Sequence, residues 1–139
     1  MTETRKRGAE RDAETRAGLT PLAPGERPLG LKLGAALALL IAVANLIGAA
    51  AGVGDASPVV GLGFAAVMLA LAAGMWARNY LAVLAFQALL AVGIIYAALS
   101  LLLASSLFGL LLGVAVIVIC SPIFWLLVRV MARLQVPPE

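Results

Sequence analysis

Apolar residues run from Leu29 to Val128, with Lys32 near the start and three polar breaks between long runs. The breaks are Gly54-Asp55-Ala56-Ser57-Pro58, Arg78-Asn79 and Ser105-Ser106. They divide the chain into four runs. At 1.5 Å rise per residue, a helix of about 20 apolar residues crosses a hydrocarbon core about 30 Å thick, and each run is long enough. The pattern predicts spans at about 29–53, 58–77, 80–103 and 107–134. Gly54 is expected to end the first, Ser57-Pro58 to start the second, and Pro137-Pro138 to stop the fourth. None of the runs alternates apolar and polar residues as a barrel strand does, so the fold class is an all-α integral membrane protein with four transmembrane helices.

Residues 1–28 read differently. Arg5, Lys6, Arg7, Arg11, Arg16 and Arg27 are mixed with Glu3, Glu10, Asp12, Glu14 and Glu26, without any Phe, Tyr, Trp, Ile or Val. Pro21, Pro24 and Pro28 forbid a continuous helix through residues 18–28. This stretch is expected to be a disordered, charged tail. A short helix over residues 3–17 is compatible with the sequence but has no apolar face to bury. Residues 29–136 form the membrane domain and 137–139 a short terminal tail.

Charge fixes the expected orientation. Of the 139 residues, 63% are hydrophobic and 12% charged, and the net charge is +3. From Leu33 to Val128 only Asp55 and Arg78 are charged. All ten basic residues fall in the tail, at the start of span one, between spans two and three, or after span four. The positive-inside rule therefore places both termini in the cytoplasm, with Asp55 on the far side, and the expected location is the plasma membrane. Trp76, Tyr80 and Trp125 sit near the basic ends, where amphipathic rings anchor at the interface. Ala49-Ala50-Ala51 resembles a cleavage site, but the apolar run before it is too long and the tail too acidic for a signal peptide.

Inside the spans, small residues form stripes. Gly34, Ala38, Ala42, Asn45 and Gly52 share one face of span one, and Gly109 and Gly113 one face of span four. Such faces let helix backbones approach closely in lipid, so these seven are the candidate packing and interface residues. Span three carries Gln87 about 180° around the helix from Tyr96, with Ser100 near Tyr96. Polar groups on both sides place it centrally or at a subunit interface. Asn45, Gln87, Tyr96 and Ser100 are the candidate cavity lining, and Pro122 is a candidate hinge, because proline frees a carbonyl and bends a helix. Arg78, Arg129 and Arg133 are candidate contacts to anionic lipid.

The remaining chemistry is sparse. The chain has no histidine and a single cysteine, Cys120, so no Cys/His metal site or intrachain disulfide can be built. Neither a nucleophile–base pair nor a phosphate loop is present, and no cofactor is expected. The basic tail lacks the aromatic residues that stack on nucleic-acid bases, so nucleic acid is not an expected partner. The size is that of the four-span small multidrug exporters, but the first span lacks the acid they depend on. The expectation is a non-enzymatic membrane protein, either an accessory or scaffolding subunit or a homo-oligomer, acting through helix packing. One alternative is an oligomeric pore or carrier for a neutral or lipid-like substrate. Another is a holin-like membrane protein, a class that also combines several spans with a charged tail.

Overall fold

The computed structural model describes residues 2–52, 57–103 and 105–136. The expected stops at Gly54 and Pro137-Pro138, and Asp55 itself, lie outside the described residues. Five helices appear in order: α1 (Thr2–Ala17), α2 (Leu29–Ala51), α3 (Pro58–Trp76), α4 (Tyr80–Leu102) and α5 (Leu107–Leu134). The last four are each long and apolar enough to cross a membrane. They match the predicted spans to within two residues. Among the described residues there is no strand.

Each terminus has a local cause. Pro28 precedes α2, where its fixed φ suits a helix start. Gly52 closes α2 in the left-handed conformation, φ 63°, and its N–H donates to the Gly48 carbonyl. A side-chain Cβ is poorly tolerated at that φ, so Gly52 serves as the cap within the predicted span. At the next helix start, Ser57 occupies the N-cap position with Pro58 first in the helix, but its hydroxyl makes no capping bond. Ser106 does cap, its Oγ accepting from the Gly109 N–H at 3.1 Å.

The α3–α4 turn is unusually economical. The Asn79 N–H donates to the Gly74 carbonyl (2.8 Å) and the Arg78 N–H to the Met75 carbonyl (3.0 Å), the pairing of a Schellman cap. Arg78 holds the left-handed position with φ 60°, where glycine is usual. Asn79 also starts α4, its Oδ1 accepting from the Leu81 N–H at 2.9 Å. One residue thus ends one span and begins the next.

The spans form a ring. The α2–α3 and α4–α5 hairpins are the closest pairs, while α2 beside α5 and α3 beside α4 close the circle. The hydrophobic core is weighted toward the end of the ring that carries the chain's basic residues and fades just past the middle. It comprises Leu31, Ala35, Ala38 and Ala42 of α2; Ala65, Met68 and Met75 of α3; Ala82, Val83, Phe86 and Leu90 of α4; and Ile123, Leu127 and Val130 of α5. In lipid there is no hydrophobic push between helices, so packing follows close approach. Gly30 and Gly34 supply it: a Cβ on Gly30 would lie 3.0 Å from the Leu126 backbone, and one on Gly34 3.2 Å from Leu127 and Met75 side chains. In the other half of the ring the close contacts run within hairpins, as between Gly61 and Ala49 or Gly113 and Leu101. Ala97 is buried there but belongs to no part of the core.

Helix α1 touches none of the other four. It is polar all round, and its described side chains are exposed. Opposite charges four residues apart, such as Lys6 and Glu10, favour a helix locally. Residues 19–28 depart from the sequence expectation of a solvated tail, because they lie across the basic end of the ring.

Candidate functional site

The basic end is where polar chemistry gathers. Residues 19–28 form a strap whose bend is Ala23-Pro24-Gly25-Glu26. The Glu26 N–H donates to the Ala23 carbonyl at 2.9 Å. Gly25 has φ 82°, so proline and glycine take the two central positions of a type II turn. Glu26 returns the bond, its Oε2 accepting from the Ala23 N–H at 3.0 Å.

Three arginines from different elements hold the strap. Arg133, near the end of α5, donates from Nε to the Thr20 carbonyl (3.1 Å) and from Nη2 to Glu26 Oε1 (3.1 Å). Arg78, in the α3–α4 turn, donates to the Ala23 carbonyl at 3.2 Å. Arg27, on the strap itself, donates to the Trp76 carbonyl at 3.2 Å and lies 4.5 Å from the centroid of the Trp76 ring. That distance is within cation–π range. The Ala23 N–H holds the Glu26 carboxyl below the usual carboxylate range; desolvation opposes it, and the Arg133 guanidinium adds to the lowering through its hydrogen bond and its charge. A further tie joins the two ends of the second hairpin: Gln135 Nε2 donates to the Tyr80 hydroxyl at 3.0 Å. The strap therefore links α3 of one hairpin to α5 of the other.

Two cavities flank it. One, about 400 Å³, lies between strap residues Pro21, Leu22 and Pro24 and the helix ends at Ala77, Arg78 and Leu134. The other, about 600 Å³, is a groove between the start of α2 and the last turns of α5. Of the three expected lipid contacts, the structure gives Arg78 and Arg133 to the strap. Arg129 is exposed and borders the groove.

The small-residue stripes are largely internal. Gly34, Ala38 and Ala42 are buried inside the ring. Gly113 faces Leu101 of α4, and Gly109 faces its own cap, Ser106. Asn45 lies one turn beyond the buried part of the stripe and is half-buried, with Nδ2 donating to the Ile41 carbonyl at 2.8 Å. It lines a notch of about 260 Å³ on the α2–α3 hairpin, with Ala44, Gly48, Ala49, Ser57 and Gly61. A Cβ on Gly48 would meet nothing within 4 Å.

The candidate cavity lining is dispersed. Gln87 is half-buried, and its Oε1 has no hydrogen-bond partner among the described residues. Tyr96, on the opposite side of α4, is 73% exposed. Ser100 is half-buried. None of these three lines the notch that Asn45 lines. Pro122 lies within α5, which runs unbroken from Leu107 to Leu134. Beside it, Ser121 and Phe124 face Ala91, Ile94 and Ile95 across a shallow α4–α5 groove.

The strap was the part missed from sequence. Its local signal was Pro24-Gly25, the central pair of a type II turn, and its partners were basic residues already noted for other roles. Comparison with protein-family models, with curated proteins and with solved structures finds no match for this chain. Fold and site define it as a four-helix, multi-pass membrane protein with a strapped basic end.

Proposed function

We propose that the chain is a membrane subunit without catalysis of its own, accessory, scaffolding or self-associating, that works by packing against other transmembrane helices. The observation that carries this is the Asn45 notch. It lies outside the core, its walls are small residues, and its amide sits within a span. One Asn45 N–H is engaged with its own helix, leaving an acceptor and a donor for a neighbour. A partner helix seated in the notch gains backbone approach and an interhelical hydrogen bond, together the usual source of association in lipid. The internal use of Gly34, Ala38 and Gly113 moves the expected interface to this notch and away from the main stripe. The absence of histidine from the sequence, and of any charged residue but Asp55 and Arg78 between Leu33 and Val128, supports a non-catalytic role. The positive-inside distribution supports cytoplasmic termini, and the location proposed is the plasma membrane.

Gly48→Leu is the informative variant, because the isolated chain has room for the side chain. Energy transfer between labelled copies in lipid bilayers, together with affinity capture from native membranes, reads its effect. The wild type associates with itself or a partner, and Gly48→Leu and Asn45→Leu weaken that association about threefold to twentyfold, given roughly 0.6–1.7 kcal/mol for an interhelical hydrogen bond in lipid. A chain that stays monomeric in lipid and captures no partner refutes the proposal.

A further inference from the structure

We propose that the groove between the start of α2 and the end of α5 is a binding site for one anionic phospholipid. Its walls include Leu29 and Gly30 on one side and Trp125, Leu126, Arg129 and Arg133 on the other. Two guanidinium groups border it and no carboxylate does. Arg133 is already bonded to Glu26 and Thr20, whereas Arg129 makes no hydrogen bond or ion pair among the described residues. Arg129 is thus the group available to a phosphate, and a planar guanidinium suits a phosphate's oxygens in pairs.

Location and size select a lipid over a free anion. The groove begins where the apolar spans begin, so its mouth is at headgroup depth. Trp125 lies one turn deeper than Arg129 on the same face of α5 and is 63% exposed, as an interfacial anchor is. The groove, about 600 Å³ and running from Leu19 and Pro28 to Trp125, is far larger than a bare phosphate fills. The apolar remainder suits the glycerol and the first methylenes of acyl chains. Basic pockets between helices at the cytoplasmic face are suited to such headgroups. Gly30 keeps this site narrow at its floor, since α2 and α5 touch there through backbone. The site is at the opposite end of the ring from the Asn45 notch, so its failure and that of the subunit reading are separable.

Native mass spectrometry of the full chain, loaded with phosphatidylglycerol or with phosphatidylcholine of identical acyl chains, tests the site. The wild type is expected to retain one phosphatidylglycerol in preference to phosphatidylcholine. Arg129→Gln should reduce that preference by roughly tenfold to a hundredfold, the effect of one lost charge-assisted bond. Lys6→Gln on α1 removes the same charge from outside the groove and should leave the preference intact. Ala132→Phe narrows the groove without changing charge and should also expel the lipid. The proposal is overturned if Arg129→Gln retains the preference, or if Lys6→Gln lowers it equally, which would indicate general attraction to the basic surface. Displacement of the lipid by an equal concentration of glycerol 3-phosphate would overturn it as well, in favour of a bare phosphate site.

Discussion

Glycines in this chain have different duties that only their surroundings reveal. Gly74 faces the start of α4, and a Cβ there would lie 2.5 Å from the Ala82 Cβ. Both groups are attached directly to backbone, so neither can rotate away. Gly74→Ala is expected to destabilise the bundle by about 1–3 kcal/mol through overpacking, read by denaturant unfolding in detergent micelles. Gly113→Ala meets chiefly the Leu101 side chain, Cδ2 at 2.6 Å and Cγ at 3.1 Å, and that side chain can rotate whereas the Ala82 Cβ cannot. It should cost less than Gly74→Ala in the same assay. Gly48→Ala meets nothing and should be neutral or stabilising, by up to about 1 kcal/mol from helix propensity. Arg78 shows the opposite bargain. It accepts a left-handed backbone that costs about 1–2 kcal/mol for a residue with a Cβ, and places a guanidinium on the strap.

At the scale of elements, the strap is expected to respond to pH through Glu26. Folding lowers the Glu26 pKa, so the ionised carboxylate favours the strapped state at and above the ordinary carboxylate range. That contribution is lost as pH falls through the lowered value. Acidification below the ordinary range should loosen the strap first, because it is exposed and independent of the core. Trp76 fluorescence, read with Trp125 replaced by phenylalanine, reports this, since Arg27 lies over the Trp76 ring. The emission should change on acidification in the wild type, and Glu26→Gln should already show the loosened signal at neutral pH with no further acid transition. A transition that persists unchanged in Glu26→Gln would assign the pH response to another group.

The whole molecule is asymmetric along the membrane normal. Its core is weighted toward the basic end, and the hairpins hold themselves together at the other end. Phe86 is 1% exposed, and Leu102, at the opposite end of the same helix, is 81% exposed. Phe86→Ala should cost about 2 kcal/mol, the cavity part of a core deletion, because the transfer part is small when the unfolded helices also remain in lipid. Leu102→Ala should cost little in the same unfolding assay. Topology is equally testable. With Cys120 replaced by alanine, cysteines introduced at Thr15 and Gln135 should react with an impermeant maleimide only after the cytoplasmic side is opened. One introduced at Ser106 should react from outside in intact cells. Labelling of Thr15→Cys from outside would reverse the proposed orientation.

The four spans, their limits and the basic end were legible in the sequence, because a bilayer demands long apolar runs and satisfied backbones whatever the neighbours are. So were Asn79 and Ser106 as breaks, where the structure has helix caps, and the stripe of small residues on α2 as a pattern. What the stripe packs against was not legible. Small residues permit close approach to any helix, and only the ring shows that Gly34 and Ala38 meet the chain's own helices while Gly48 does not. The strap was hidden for a related reason. Its bonds go from arginines to backbone carbonyls far apart in sequence, and every residue has a carbonyl, so no side-chain pattern marks them. Lipid solvation is written residue by residue and can be read from the chain. The choice among many equivalent small faces and carbonyls depends on which elements meet, and that is decided by the tertiary structure alone.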